Sequence, residues 1–314
     1  MANPEVLQLM PITPAPQADA EQAFTLHKMW EAENPRAFVT DVAPGVRGLL
    51  TNGILGADAE LIGALPALEI IGVYGVGVDA VDLEAARARG VRVTNTPDVL
   101  TTGVAELAMA LLLDVARRVS RNERYVRAGL WAERGDPPLA NSLAGKRMGI
   151  LGLGRIGQAV AKLAEAFDVA LCYCGPSRKP DMPYPYYDDL VTMAREVDCL
   201  MITCMGGPVT KGLVGREAIE ALGPEGWLIN VSRGTVVDQP ALIEALQAGR
   251  LGAAGLDVFA DEPNVPEALL AMDNVVLQPH QGSATIETRS AMGQLTVDNL
   301  KAHFAGRPLL MPVV

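Results

Sequence analysis

Three histidines occur in the chain, and only His280 stands where an imidazole could do acid-base work. It follows the apolar run NVVLQ and Pro279 and precedes Gly282, a turn at what reads as a strand's C-terminal end. In open α/β sheets ligands bind at those ends. Arg233 in NVSRGT and Glu262 in VFADEP occupy equivalent places after the runs WLINV and GLDVF. An imidazolium can protonate a developing alkoxide, a carboxylate against its other nitrogen can stabilise the cation, and a guanidinium can bind a carboxylate or polarise a carbonyl. From position alone these three are either one site or unrelated loop residues. His27 and His303 lie in helical-looking stretches and read as solvated or packing residues.

A second constellation is the glycine run LGLGRIG, immediately after the strand-like MGIL and opening a helical stretch. Gly152 permits the tight turn, Gly154 lets backbone approach a pyrophosphate, and Gly157 allows close packing of helix on strand. The helix start, with Arg155 and Ile156, offers N–H groups and positive potential to phosphates. An NAD-binding loop places a carboxylate at the end of the next strand to hold the ribose 2′-OH. Here that strand, VALCYC, is followed by Gly175, Pro176, Ser177, Arg178 and Lys179. A hydroxyl and two cations suit a 2′-phosphate, so NADP(H) is the expected cofactor and NAD(H) the alternative. The bland reading makes Arg178 and Lys179 ordinary solvated cations.

The elements that must position these residues follow a βα rhythm. VLQLMPI, a helical AEQAFTLHKMWEA, VRGLLTN, DAELIGALP and LEIIGVYGVG come first. A long helical pattern from Gly103 to Gly129, apolar in its first half, comes next. The rhythm restarts at KRMGIL and continues through CLMITCM, EGWLINVS, LGAAGLDVF and NVVLQPH to a helical tail near Thr285. The expected architecture is two doubly wound parallel-sheet lobes, a dinucleotide-binding Rossmann domain over 99–284 inserted into a flavodoxin-like substrate domain formed by 1–98 and 285–314. The catalytic cleft would lie between them.

Composition sets outer bounds. At 314 residues and 49% hydrophobic content, two cores can be filled, and a net charge of -11 disfavours nucleic acid as a partner. No run approaches a membrane span, and the N-terminus lacks a basic lead into a long apolar core, so a soluble cytoplasmic protein is expected. Cys172, Cys174, Cys199 and Cys204 form no CxxC and sit in apolar stretches, which reads as buried thiols without metal.

GLGRIG, INVSRGTVVD, GAAGLDVFADEP and NVVLQPHQGSAT, in that order, resemble the D-isomer-specific 2-hydroxyacid dehydrogenase family. The resemblance continues through YGVGVDAVDL and GVRVTNTPDVLTTGVAELA and so spans nearly the whole chain. The regions YCGPSRKP, ALGPEGWLINVSRG and AHFAGRPLLMPVV resemble its glyoxylate, hydroxypyruvate and hydroxyphenylpyruvate reductase branch. The resemblance implies NADPH-dependent reduction of small 2-keto acids, with Arg233, Glu262 and His280 catalytic and substrate carboxylate held by the backbone of Val76 and Gly77. It implies cofactor contacts at Thr102, Cys204, Pro208, Val231, Ser232, Asp257 and Gly282. Asp257 has a second reading as a structural turn carboxylate.

Trp131 lies on a segment that in the family reaches a dimer partner, where it would shape the pocket or simply anchor a homodimer; Arg289 is a second pocket candidate. Three departures stand out: Pro176 where NADPH-using relatives commonly carry an arginine, Met205-Gly206-Gly207 where the family usually shows Pro-Leu-Thr, which changes the cofactor-side loop, and Gln281 where a small apolar residue is common. A non-catalytic corepressor-like binding protein and a dehydrogenase of a bulkier acid such as phosphoglycerate are the competing readings.

Overall fold

Strands form where short runs of β-branched and other apolar residues are covered on both faces, and the computed structural model, which describes residues 3–314, shows twelve of them in two parallel sheets. The chain divides into two compact units, one ending at Leu100 and resuming over Ala284–Val314, the other spanning Thr101–Ser283.

The first unit begins β1 (Glu5–Gln8), α1 (Pro14–Ala23), β2 (Thr25–Lys28), α2 (Pro35–Val42), β3 (Val46–Asn52), α3 (Ala59–Ala64), β4 (Ile70–Tyr74), α4 (Leu83–Ala88) and β5 (Arg92–Thr94). Its sheet order is β2-β1-β3-β4-β5, the flavodoxin-like doubly wound arrangement expected of the substrate lobe. Strand β4, between β3 and β5, is buried along its whole length.

The second unit contains α5 (Thr101–Arg117), α6 (Val119–Arg127), α7 (Leu130–Arg134), β6 (Arg147–Leu151), α8 (Arg155–Glu165), β7 (Ala170–Cys174), β8 (Tyr186–Tyr187), α9 (Leu190–Glu196), β9 (Cys199–Ile202), α10 (Arg216–Leu222), β10 (Trp227–Asn230), α11 (Gln239–Gln247), β11 (Ala253–Leu256), α12 (Glu267–Leu270) and β12 (Val275–Leu277). The order β12-β11-β10-β9-β6-β7-β8 is parallel throughout, so every strand ends at the same edge. α5 packs on α8 and on β10, β11 and β12, while buried residues of α9, α10 and α11 share one core with the strands. The last helix, α13 (Ile286–Phe304), returns to the first unit, where it lies against α1 and β4. Thr285 caps it by accepting a hydrogen bond from the Thr288 N–H.

Two local expectations are corrected and one helix is added. TLHK, read as helix, is strand β2: α1 stops at Phe24, whose buried ring joins the Val6–Leu300 cluster, and Thr25–Lys28 then pairs with β1 residue for residue. The long helix from Gly103 breaks at Arg118, which adopts a left-handed φ of 55°. The Asp114 carboxylate explains the break, because it accepts the N–H and the hydroxyl of Ser120 and so starts a second helix. Helix α2 was not anticipated and is begun by an Asn34 cap and Pro35.

Candidate active site

The strands β10, β11 and β12 are neighbours, and each delivers one of the three charged residues just beyond its C-terminal end. His280 Nδ1 lies 2.7 Å from Glu262 Oε2, while Glu262 Oε1 accepts the Phe259 N–H at 3.0 Å. Burial pushes the Glu262 carboxyl up. The His280 hydrogen bond, the Phe259 N–H and the nearby charges of His280 and Arg233 outweigh it and hold the group below its ordinary value. A carboxylate therefore faces the imidazole at neutral pH.

Arg233 is half-buried, with Nη1 donating to the Ser232 carbonyl at 2.9 Å and its own carbonyl accepting from Asn230 Nδ2 at 3.0 Å. Two glycines seat it. A Cβ on Gly234 would meet the Phe259 carbonyl carbon at 1.9 Å, so only glycine lets the Arg233 turn close onto the Glu262 loop. A Cβ on Gly206 would meet Arg233 Cγ at 2.5 Å, so the unusual Gly206 provides the surface on which the arginine stem rests. From sequence Gly206 stands only as part of a changed cofactor-side loop, not as a seat for Arg233; Gly234 carries no local signal, because its contact is with a residue far along the chain.

His280 itself takes a left-handed φ of 53°, which a non-glycine residue adopts only when held. Its N–H donates to the Asp257 carbonyl at 2.8 Å. The Asp257 carboxylate accepts the Gln281 N–H at 2.6 Å and the Gly282 N–H at 2.9 Å. Both Asp257 oxygens are thus engaged in shaping the histidine turn, the structural reading of that residue. Burial raises its carboxyl above the ordinary value against the two N–H groups.

At the same sheet edge, β6 runs into the glycine turn. Gly152, at φ 95°, comes so close to the next strand that a Cβ would sit 2.5 Å from Cys204 Cα, and one on Gly157 would sit 2.4 Å from the Gly152 carbonyl oxygen. Gly154 is the opposite: nothing lies within 4 Å of where its Cβ would point, and as N-cap of α8 it offers no side chain to the helix start. Open space over uncapped N–H groups is what a pyrophosphate requires, so the turn fits a dinucleotide.

Beyond β7, Ser177, Arg178 and Lys179 are all exposed. Cys204, Val231 and Ser232 gather at the ends of β9 and β10, where the Ser232 hydroxyl donates to the Cys204 carbonyl. Pro208 and Thr102 are exposed, on the loop after β9 and at the start of α5.

In the first unit, Val76 and Gly77 follow β4, and the Val76 carbonyl accepts from Asn95 Nδ2 at 2.9 Å. Arg289 stacks its guanidinium 5.5 Å from the Tyr74 ring centroid, and the Tyr74 hydroxyl donates to the Arg289 carbonyl at 3.0 Å. Trp131, on α7 of the second unit, is exposed, with Nε1 donating to Asp136 at 2.9 Å. His27 and His303 pair with Glu5 and Glu69 in the first unit.

Comparison with known proteins gives a consistent result. Residues 109–282 match the model of the D-isomer specific 2-hydroxyacid dehydrogenase, NAD binding domain. The chain is 50% identical over 309 residues to hydroxyphenylpyruvate reductase of Plectranthus scutellarioides, covering 98% of each protein. It is 46% identical to glyoxylate/hydroxypyruvate reductase A of Arabidopsis thaliana, again over 98% of each. Among solved structures, the NADPH-dependent glyoxylate/hydroxypyruvate reductase of Sinorhizobium meliloti in complex with NADP and malonate superposes with a TM-score of 0.93. It is 42% identical, covering 100% of this chain and 97% of that one.

Proposed function

The chain belongs to the D-isomer specific 2-hydroxyacid dehydrogenase family, and we propose that it reduces small 2-keto acids to 2-hydroxy acids, preferring NADPH over NADH. The observation that carries the reading is the convergence of Arg233, Glu262 and His280 at three adjacent strand ends, with the imidazole held against an ionised carboxylate. The bound nicotinamide supplies hydride to the keto carbon. His280 has Nδ1 committed to Glu262, which leaves Nε2 to hand its proton to the developing alkoxide. Glu262 fixes the ring's orientation and balances the imidazolium charge. Arg233 binds the substrate's carboxylate or keto oxygen and polarises the carbonyl.

The uncapped start of α8, with Arg155 and Ile156, takes the pyrophosphate, and Ser177, Arg178 and Lys179 take the 2′-phosphate. Thr102, Cys204, Pro208, Val231, Ser232 and Gly282 complete the nicotinamide side, and Asp257 holds the turn that carries Gly282. Glyoxylate, hydroxypyruvate and phenylpyruvate-type acids are the substrate class. The test is product analysis: purified protein with hydroxypyruvate and NADPH should yield the D-hydroxy acid, one molecule per NADPH oxidised. Absence of product with tight NADPH binding would make the chain a dinucleotide-binding protein instead.

Two further attributes belong to this reading. The segment from α6 to Leu139 exposes Val119, Val126, Trp131 and Leu139, an apolar display that supports a homodimer. A monomer mass by light scattering at working concentration would refute it. Four unpaired cysteines, three of them buried, suit a reducing cytoplasm, and secretion of a tagged protein would contradict that location.

A further inference from the structure

Residues 175–185 connect β7 to the edge strand β8 and carry the three side chains assigned to the 2′-phosphate, all of them exposed. An exposed loop that must be ordered to bind an anion loses conformational entropy on binding, so anything that fixes its backbone beforehand strengthens recognition. Two phenols do this here. The Tyr173 ring is buried in the sheet at 1% exposure, and its hydroxyl reaches up to the loop. There it accepts the Lys179 N–H at 2.7 Å and donates to the Lys179 carbonyl at 3.4 Å. Its register partner on β8, Tyr186, lies with ring centroid 5.3 Å away and donates its hydroxyl to the Gly175 carbonyl at 3.0 Å. The backbone is therefore gripped at Gly175 and at Lys179, on either side of Ser177 and Arg178, while the side chains of Ser177, Arg178 and Lys179 stay exposed.

We propose that Tyr173, seconded by Tyr186, is a positioning residue for cofactor discrimination: the pair holds the loop after β7 in the shape that presents Ser177, Arg178 and Lys179 to a 2′-phosphate. The inference rests on the assignment of those three residues to the phosphate. In this role Tyr173 acts through the Lys179 backbone, which its hydroxyl holds. A phenol that merely seals the sheet edge would matter for stability and not for the difference between phosphorylated and unphosphorylated nucleotides.

Isothermal titration of the full-length protein with 2′,5′-ADP and with 5′-AMP separates these roles, since the two probes differ only in the 2′-phosphate. Tyr173→Phe leaves the Lys179 N–H without its buried acceptor, and the preference for 2′,5′-ADP over 5′-AMP should fall about tenfold. Tyr186→Phe should lower it about threefold, having lost one hydrogen bond to a carbonyl that water can reach. A preference equal to wild type in Tyr173→Phe overturns the proposal, even if melting temperature drops. Should that variant not fold, an unchanged preference in Tyr186→Phe overturns it. Arg178→Ala with Lys179→Ala tests the underlying assignment: loss of the preference upholds it, and retention removes the phosphate site and this inference with it.

Discussion

The ends of β10, β11 and β12 and the end of β7 belong to one sheet and face the same way, yet they hold their charged residues by opposite means. On the first side the side chains themselves are fixed. Glu262 spends one oxygen on His280 and the other on the Phe259 N–H, and Asp257 grips the two residues after the histidine. On the second side the side chains of Arg178 and Lys179 are exposed, and only the backbone beneath them is tied, through Tyr173 and Tyr186. Proton transfer needs one imidazole nitrogen in one place, whereas a phosphate with several oxygens accepts cations from many directions. The two halves should therefore fail differently: damage to the first removes turnover, and damage to the second changes which cofactor is used.

The largest effect should come from His280→Ala, in which kcat for hydroxypyruvate with NADPH falls about 10²- to 10⁴-fold, the range for loss of a positioned general acid. Turnover near wild type would end the division of labour. Next in size, Arg178→Ala with Lys179→Ala should raise the Michaelis constant for NADPH about tenfold or more, with a much smaller change for NADH. Equal effects on both cofactors would show that the loop serves the fold and not the phosphate. Smaller again, Trp131→Ala should shift the ratio of kcat/KM for phenylpyruvate over glyoxylate by about threefold to tenfold, the scale of one lost apolar contact. An unchanged ratio would confine Trp131 to assembly.

The smallest effect lies in the acid limb of stability. The Glu262 carboxyl is held below its ordinary value in the folded protein, so the unfolded chain takes up that proton first as pH falls. The stabilisation is complete above about pH 4.5 and is lost as pH drops through the folded value. Glu262→Gln should therefore flatten the decline of unfolding free energy with falling pH, by at most about 1.4 kcal/mol per pH unit. Asp257, raised by burial and in smaller part by the Glu262 charge, works in the opposite sense and relaxes when that charge is removed, so it offsets part of the effect. Identical pH slopes in urea titrations would contradict the charge state given to it.

How much of this could be read from sequence depends on whether the cause is local. The glycine turn and the three charged strand ends were legible because an apolar run ending in glycine or a charged residue carries its own signal. TLHK was not, since its edge-strand pairing with β1 overrides a helical-looking neighbourhood. Nor was the break at Arg118, which depends on Asp114 choosing to cap Ser120. The supports of the site were least visible. Asp257 binds backbone across 25 residues of chain, Gly206 matters only because Arg233 lies against it, and Tyr173 looks from sequence like one more apolar strand residue.

The central claim is that catalysis and cofactor choice sit on separate halves of one sheet edge. Its most direct test is the NADPH dissociation constant of the His280→Ala protein, measured by fluorescence titration in the absence of keto acid. A value within about twofold of wild type is expected, because the proposed pyrophosphate and 2′-phosphate contacts follow β6 and β7. A loss of tenfold or more would contradict it, placing the His280 imidazole itself in the cofactor's binding energy.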